Sequence, residues 1–257
     1  MATKMKPYLS IVLPSYNELK NINRGVLDQV WDFLKNYKKD WQLILSDDGS
    51  TDGSLEELAK FAKKDKRIKL LKNPHRGKGP TVSAGMLAAE GDWRLFADFD
   101  QSTPLKEVEE LLKYTDKYDI IFGSREIIGA KRDKEPFYRH LMGRGFNFLV
   151  QVLAVPGMLD TQCGFKLFSA KASKTLFPKL YIYSGDRERQ DAFTGAFDVE
   201  LLYLAKKYNF TMREVAISWQ HYKTDRVSPI KDSLLMFMDI LKIKLADWSG
   251  KYPKHVD

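Results

Sequence analysis

The amino-acid sequence predicts an α/β fold, namely a single domain built on a mostly parallel, Rossmann-like sheet with helices on both faces. Apolar runs of strand length alternate along the chain with amphipathic stretches of helix length, and most of the apolar runs end in a polar loop. This alternation is typical of a parallel sheet, in which the loops that follow the strands meet at one edge. With 257 residues and 44% apolar content, the chain is long enough to bury one sizeable core.

Two units of strand, loop and helix occupy the N-terminal part. An apolar strand is predicted over residues 8–13 and runs into the polar segment PSYNE at residues 14–18. A second strand is predicted over residues 41–45 and runs into the loop SDDGSTDGS at residues 46–54. An amphipathic helix follows each loop. Its apolar stripe consists of Ile22, Val26, Val30 and Leu34 in the first unit and begins with Leu55, Leu58 and Ala62 in the second.

The same plan continues towards the middle of the chain. A third strand over residues 68–71 leads into the basic glycine loop NPHRGKGP at residues 73–80 and then into a short helix. A fourth strand is predicted over residues 93–97 and a fifth over residues 119–122. The fifth strand closes at the tripeptide Gly-Ser-Arg, residues 123–125. The polar segments after all five strands are therefore expected at one edge of the sheet.

A pair of carboxylates, Asp98 and Asp100, follows the fourth strand directly. Alternate side chains of an extended segment point the same way, so both are expected on one side at the carboxyl end of the strand. Hard oxygen ligands suit Mg²⁺ or Mn²⁺. A plain turn is the alternative, because Asp, Ser and Pro are common in loops, and the motif alone does not decide between the two.

Composition and charge restrict the partners. The net charge of +8 admits nucleic acid, anionic lipid or phosphorylated substrates. Nucleic acid is the weakest of these, because the basic residues are mixed with 34 acidic ones and no nucleic-acid-binding motif is present. The single cysteine, Cys163, excludes an internal disulfide and is expected to be a small buried residue. The four histidines are scattered, so no zinc site is predicted, and each is expected on the surface or in a hydrogen bond.

Membrane contact is considered for two segments. The first six residues form a short polar segment with no apolar stretch of signal-peptide type behind it, so no signal peptide is expected. The longest apolar stretch, residues 146–159, falls well below the length needed to cross a bilayer. Three basic residues precede it, so it fits either an interfacial helix or a core helix. These residues are Arg139, His140 and Arg144.

The second segment is C-terminal. We expect a catalytic domain over residues 1–225 and an amphipathic helix with a tail over residues 226–257. Trp248 and Tyr252 near the end are residue types favoured at membrane interfaces. Ile240 and Ile243 widen the apolar surface, so burial against the domain remains an alternative to a membrane or partner. The apolar stripe itself consists of Ile230, Leu234, Phe237, Met238, Leu241 and Leu245.

Taken in order, the polar segments resemble those of family 2 glycosyltransferases. The resemblance rests on LPSYNE at residues 13–18, DDGSTDGS at 47–54, GKG at 77–79, DFD at 98–100 and GSR at 123–125. Three downstream segments are similar to those of the dolichyl-phosphate (polyprenyl-phosphate) glucosyltransferases, namely DTQCGFKLF at residues 160–168, FDVELL at 197–202 and EVAI at 214–217. The match covers roughly residues 8–245 and leaves only the two ends outside it.

The resemblance implies a type A glycosyltransferase fold and a nucleotide-sugar site. In such a site Tyr16 would stack on the base, and Asp47 would accept a base N–H. Asp52 is instead expected to hydrogen-bond its own turn, and for Asp48 a role in the site and a role in the turn are both open. Asp100 would bind the metal directly, and Asp98 would assist through the metal or the sugar. The remaining implied donor-site residues are Pro14 and Glu18 at the nucleoside and Lys78 at the phosphates.

The acceptor side is implied in the same way. Guanidinium groups would hold the acceptor phosphate, a geometry that Arg serves better than Lys. Asp160 and Gln162 would approach the sugar hydroxyls or the reacting centre. The implied acceptor-phosphate residues are Arg125, Arg139 and Arg144. The charged segment 183–195 is either a lid or a solvated loop.

The expected activity is inverting, metal-dependent transfer of a hexose, glucose first, from a UDP-sugar to polyprenyl phosphate at the cytosolic membrane face. Within the enzyme class, the alternatives are mannosyl transfer from a GDP-sugar and a soluble acceptor such as a protein or saccharide. From another class, a non-catalytic nucleotide-sugar-binding module that recruits partners to membranes remains open. The acceptor chain length and the oligomeric state are not readable from the sequence.

Overall fold

A computed structural model describes residues 6–133, 151, 154–184, 196–222 and 229–254. Arg139 and Arg144 lie outside these described residues, as do half of the segment 146–159 and most of the segment 183–195.

The predicted fold class is confirmed. Seven strands form one sheet in the order β3-β2-β1-β4-β7-β5-β8. All neighbours in this sheet are parallel except β7, which is antiparallel to both β4 and β5. A small parallel pair, β6 and β9, lies apart from it. The strands are β1 (Leu9–Ser15), β2 (Trp41–Asp47), β3 (Ile68–Lys72), β4 (Trp93–Ala97), β5 (Ile120–Ser124), β6 (Lys131–Arg132), β7 (Phe165–Ser169), β8 (Met212–Ala216) and β9 (Ser218–Trp219).

Eight α-helices are assigned in the described residues, and short 3₁₀ turns at Leu105–Glu107 and Phe177–Lys179 adjoin two of them. The helices are α1 (Leu19–Asn23), α2 (Val26–Asn36), α3 (Ser54–Ala62), α4 (Lys78–Ala88), α5 (Val108–Leu112), α6 (Ala170–Leu176), α7 (Phe197–Lys207) and α8 (Pro229–Trp248).

Two details at the start of the chain differ from the sequence-based expectation. The first predicted helix is divided into α1 and α2 at Gly25, whose φ of +89° belongs to the left-handed region that glycine tolerates. Strands β1 and β2 also run two residues further than predicted, because their pairing continues through Pro14 with Ser46 and Ser15 with Asp47. Pro14 and Asp47 therefore belong to strands, not to loops.

The sheet is covered on both faces, as predicted, and alternate strand residues contribute to two separate cores. Val12 and Phe96 belong to a core shared with α4, α6, α7 and α8. Ile11 and Leu95 belong to the other, which is shared with α2, α3 and α5. Burial on both faces explains why β1 and β2 are apolar without alternation. Cys163 is buried in the second core, as expected.

The C-terminal helix α8 packs on the first core through Ile240, Ile243 and Ala246. Tyr252, expected at a membrane interface, is instead 1% exposed and donates a hydrogen bond to Glu200 of α7. Among the described helices, none combines the length and apolar character required to span a bilayer. The exposed large apolar side chains of α8 are Leu234, Met238, Leu241, Leu245 and Trp248.

Candidate active site

The Asp pair lies where the sequence placed it, immediately after β4. The backbone N–H of Asp98 donates to the carbonyl of Gly164 at 3.0 Å. A Cβ on Gly164 would lie 2.2 Å from Asp98 Oδ2, so only glycine leaves room for this carboxylate. Asp100 accepts from the backbone N–H and the hydroxyl of Ser102, both at 2.9 Å. Burial and the neighbouring Asp98 raise the pKa of Asp100 above its ordinary value.

Lys78, in the first turn of α4, reaches the same pair. Its Nζ donates to Asp98 Oδ1 at 2.5 Å. Burial lowers the pKa of Lys78, but Asp98 and Asp198 outweigh that effect, so the pKa is raised and the side chain is a firm cation. The basic glycine loop and the Asp pair therefore meet at the carboxyl edge of the sheet.

The donor set of the pair fits a magnesium-type ion. Among the described residues, no three His, Cys, Asp or Glu side chains form a group able to hold a metal. Mg²⁺, however, is usually bound by only one or two carboxylates together with waters and substrate phosphates. Asp98 and Asp100 supply those two carboxylates, and their mutual repulsion is the kind of strain that a divalent cation relieves.

The predicted nucleoside residues gather around the ends of β1 and β2. Pro14 is buried within β1. The Tyr16 ring stacks on His75, with 4.0 Å between the ring centroids and 4° between the planes. The carboxylate of Glu18 accepts a hydrogen bond from Asn21 in the middle of α1, and its backbone N–H donates to Ser54 at 2.7 Å. Tyr16 is thus held as a flat platform at the rim of the site.

The three aspartates at the end of β2 and in the loop that follows it have different partners. Asp47, expected to meet the base, accepts from the backbone N–H and the hydroxyl of Ser50, at 2.9 and 2.6 Å. Asp52 binds Ser54 within its own turn, as expected, and also accepts from the N–H of Leu19 at 3.0 Å. Asp48 reaches out of its turn to the glycine loop, a contact that was not predicted from the sequence.

Arg125 and Asp160, predicted on the acceptor side, form one largely buried ion pair, in which the carboxylate is buried and the guanidinium is partly exposed. Arg125 Nε and Nη2 donate to the two carboxylate oxygens at 2.7 and 2.8 Å, and its backbone N–H adds a third bond at 2.9 Å. Burial opposes ionisation of Asp160, but Arg125 outweighs it, so the pKa of Asp160 lies below its usual value. Two guanidinium nitrogens are therefore engaged within the protein before any acceptor binds.

Gln162 points towards the C-terminal helix. Its amide Nε2 donates to the sulfur of Met236 in α8 at 2.8 Å. Burial lowers the pKa of Arg125, but Asp160 raises it and Asp98 adds to that rise, so the Asp pair and the Arg125–Asp160 pair share one electrostatic environment.

A second buried ion pair was not predicted. Lys166 of β7 is fully buried and donates to Asp198 in the first turn of α7 at 2.6 Å and to the carbonyl of Cys163 at 2.5 Å. The available signal was a lysine placed between Phe165 and Leu167 in an apolar strand, where a charge needs a counter-ion.

The fold and this cluster of acidic and basic groups define a member of glycosyl transferase family 2. The family model matches residues 10–177, and the chain belongs to that family of enzymes. Curated relatives of the chain are named dolichyl-phosphate beta-glucosyltransferase. The one from Dictyostelium discoideum is 36% identical, covering 92% of this chain and 74% of its own length. The human enzyme is 35% identical, and the match covers 95% of this chain and 77% of the human one. The protein is thus a glycosyltransferase similar to those enzymes.

Solved structures share the fold at low sequence identity. Glucosyl-3-phosphoglycerate synthase from Mycobacterium tuberculosis, in complex with Mn²⁺, uridine diphosphate and glucosyl-3-phosphoglycerate, has a TM-score of 0.59 at 16% identity, covering 93% of this chain and 79% of that one. Mannosyl-3-phosphoglycerate synthase from Rubrobacter xylanophilus has a TM-score of 0.60 at 13% identity, covering 96% and 77%.

Proposed function

We propose that the protein is an inverting, metal-dependent glycosyltransferase that transfers glucose, or another hexose, from a UDP-sugar to dolichyl or polyprenyl phosphate. The observation that carries this proposal is the meeting of Asp98, Asp100 and Lys78 at the carboxyl edge of β4. Two carboxylates beside one cation suit a diphosphate bound with a divalent ion. The names of the relatives support the acceptor and the sugar, and neighbours solved with uridine diphosphate and Mn²⁺ support the donor and the metal.

In the proposed reaction, an acceptor phosphate oxygen attacks C1 of the sugar from the face opposite the diphosphate. The new C1–O bond forms as the bond from C1 to the diphosphate oxygen breaks, and UDP leaves with the electron pair. A phosphate acceptor is already anionic, so positioning contributes more than proton removal. Mg²⁺ or Mn²⁺, when bound by Asp100 and Asp98, supplies charge stabilisation to the departing diphosphate.

The residues of the chain perform the remaining tasks. Lys78 is placed to turn from Asp98 towards a phosphate oxygen once a nucleotide enters. Arg125, oriented by Asp160, lies beside the carboxylate pair and is the described cation that we assign to the acceptor phosphate. Arg139 and Arg144 are proposed for the same task, and Gln162 for the sugar hydroxyls.

A screen of donor hydrolysis and transfer tests the proposal. The purified protein is incubated with UDP-glucose or with GDP-mannose, with and without polyprenyl phosphate. We expect UDP release from UDP-glucose that depends on the lipid phosphate. Release from GDP-mannose alone would favour the mannosyl alternative, release with a saccharide or protein acceptor would favour a soluble acceptor, and binding without turnover would favour a non-catalytic module.

Donor and acceptor binding are expected to separate by mutation. Asp47→Ala removes a carboxylate at the predicted base site and should weaken UDP binding about tenfold, since it also frees the turn held by Ser50. Arg139→Ala should leave UDP binding unchanged, because its proposed ligand is the lipid phosphate. Calorimetry with UDP measures both, and thermal unfolding shows whether Asp47→Ala remains folded. Equal loss of UDP affinity in the two variants would contradict the proposal that Asp47 serves the donor and Arg139 the acceptor.

We further propose attachment to the surface of a membrane at its cytosolic face, through α8 and the tail, residues 226–257, with the catalytic domain ending near residue 225. Five large apolar side chains of α8 are exposed at helical spacing. Lys242 and Lys244 lie beside them, and each basic residue near an anionic surface contributes about 1 kcal/mol. The apolar stretch 146–159 is proposed as a second contact. A membrane-bound acceptor would then be delivered to the edge of the sheet.

Vesicle binding checks this attachment. Leu241→Ser with Leu245→Ser should weaken binding to vesicles that contain anionic lipid and depress activity on long-chain acceptors more than on short soluble analogues. The matched control is Leu87→Ser with Ile128→Ser, two exposed apolar residues that do not belong to α8. Binding of the native protein should also weaken with added salt. Loss of the same size in both double variants would show that the surface of α8 has no special role.

A further inference from the structure

We infer that Asp48 is a positioning residue that joins the two halves of the donor site, the platform for the base and the loop for the diphosphate. The inference rests on the proposed nucleotide-sugar donor. It concerns a residue for which the sequence left a site role and a turn role open.

Asp48 is buried at 3% exposure, and its carboxylate leaves its own turn. Oδ2 is bound by Nδ1 of His75 at 2.8 Å and by the backbone N–H of Gly77 at 3.0 Å. Oδ1 accepts from the backbone N–H of Arg76 at 2.9 Å. One carboxylate thus holds three consecutive residues of the glycine loop. Hydrogen bonds to a charged group are about twice as strong as neutral ones, so this is a stiff connection.

The first half of the site is reached through His75. Its ring stacks on Tyr16 with nearly parallel planes, and the bond from Asp48 fixes the orientation of that ring. His75 Nε2 is buried and has no hydrogen-bond partner among the described residues, so the ring's polar anchor is the Nδ1 contact. His75 covers one face of Tyr16, and a base is expected on the opposite face. Asp48 therefore sets the plane of the base platform without touching the base.

The second half is reached through the backbone. The N–H groups held by Asp48 belong to the two residues directly before Lys78, and Gly77 has a φ of +93° where α4 begins. Lys78 then extends to Asp98. The glycine loop also packs closely on the turn that follows β2, because a Cβ on Gly49 would lie 3.2 Å from the backbone nitrogen of His75. The direction in which Lys78 leaves the loop thus depends on Asp48.

The consequence is that loss of the Asp48 charge should weaken both halves at once. Asp48→Asn removes the ionised acceptor and should weaken binding of uridine and of inorganic pyrophosphate each about fivefold or more. His75→Ala should weaken uridine and UDP by a similar factor and leave pyrophosphate nearly unchanged. His75→Phe keeps a ring against Tyr16 and should recover most of the uridine affinity.

Calorimetric titration of the full chain with uridine, pyrophosphate and UDP tests this pattern. The matched control is Asp65→Asn, a carboxylate that holds the turn before β3 at the opposite edge of the sheet through Arg67. In the transfer assay, Asp48→Asn should raise the KM for the donor more than it lowers kcat. Thermal unfolding of each variant shows that the comparison is made on folded protein.

The outcomes are distinct. The inference is overturned, while the proposed donor stands, if Asp48→Asn binds uridine and pyrophosphate as tightly as the native protein does. The same holds if Asp48→Asn loses no more affinity than Asp65→Asn. Loss of uridine binding alone assigns Asp48 to the base platform only and also overturns the joint role. Failure of the native protein to bind UDP overturns the proposed donor and the inference together. An unfolded Asp48→Asn leaves the His75→Ala and His75→Phe pair, whose failure to differ in uridine affinity overturns the platform.

Discussion

Asp100→Ala is expected to abolish sugar transfer, lowering the rate at least about a thousandfold, because it removes the proposed direct metal ligand and leaves the diphosphate charge uncompensated. A chelator should likewise abolish transfer by the native protein. Added Mg²⁺ or Mn²⁺ should restore the activity, since both ions accept carboxylate and phosphate oxygens as ligands. A radiolabelled transfer assay with polyprenyl phosphate measures both effects.

The matched control is Asp92→Ala, an exposed carboxylate just before β4 at the other edge of the sheet, where it pairs with Lys6. It should retain activity, because surface pairs contribute little. Full activity of Asp100→Ala in excess chelator would remove the metal from the mechanism.

Arg125→Met is expected to destabilise the fold by about 3–5 kcal/mol, because it leaves the Asp160 carboxylate buried without its partner. Asp160→Asn should have a smaller effect, and the double variant Arg125→Met with Asp160→Asn should recover much of the loss but remain inactive. Denaturant unfolding measures the stability of all three. The control is Lys35→Met, which breaks an exposed pair with Asp32 and should change stability by less than about 1 kcal/mol.

The pH dependence of that stability has a defined sign. Because the folded protein holds the pKa of Asp160 below its ordinary value, the contribution of the ion pair is fully present at neutral pH and is lost as the pH falls through the folded pKa. In Asp160→Asn this acid-side loss should diminish. An unchanged acid profile in that variant, or a cost of Arg125→Met no larger than that of Lys35→Met, would contradict the account.

Much of the fold was readable because strands and helices alternate with clear periods. Strand β4 lies where the sequence placed it, since local pattern determines such an element. Helix α4 was also expected after the glycine loop, but it begins at Lys78, inside the segment 73–80 that was predicted to be that loop. The boundaries of β1 and β2 were set by their mutual pairing, which is a tertiary effect. Strand β7 pairs antiparallel with β4 because the chain comes back to the middle of the sheet, and no local sequence pattern indicates that long-range pairing. The division into residues 1–225 and 226–257 stays a prediction.

The candidate site was predicted at the level of motifs, and the residue roles stay predictions. The order of the polar loops placed Asp98, Lys78 and Tyr16 at one edge, and the structure brings them there. The pairing of Arg125 with Asp160 was not foreseen, because a motif names residue types and not side-chain directions. The reach of Asp48 across to the glycine loop was missed for the same reason.

The place of β7 in the sheet has a consequence for synthesis of the chain. This strand separates β4, at the donor side, from β5, and its residues 165–169 follow β4 after a long interval of sequence. A nascent or truncated chain that ends before residue 165 therefore exposes β4 as an unpaired edge, which is a template for aggregation. The N-terminal strands alone are thus expected to aggregate as a separate fragment, because β4 gains its second partner only from a strand that is made much later.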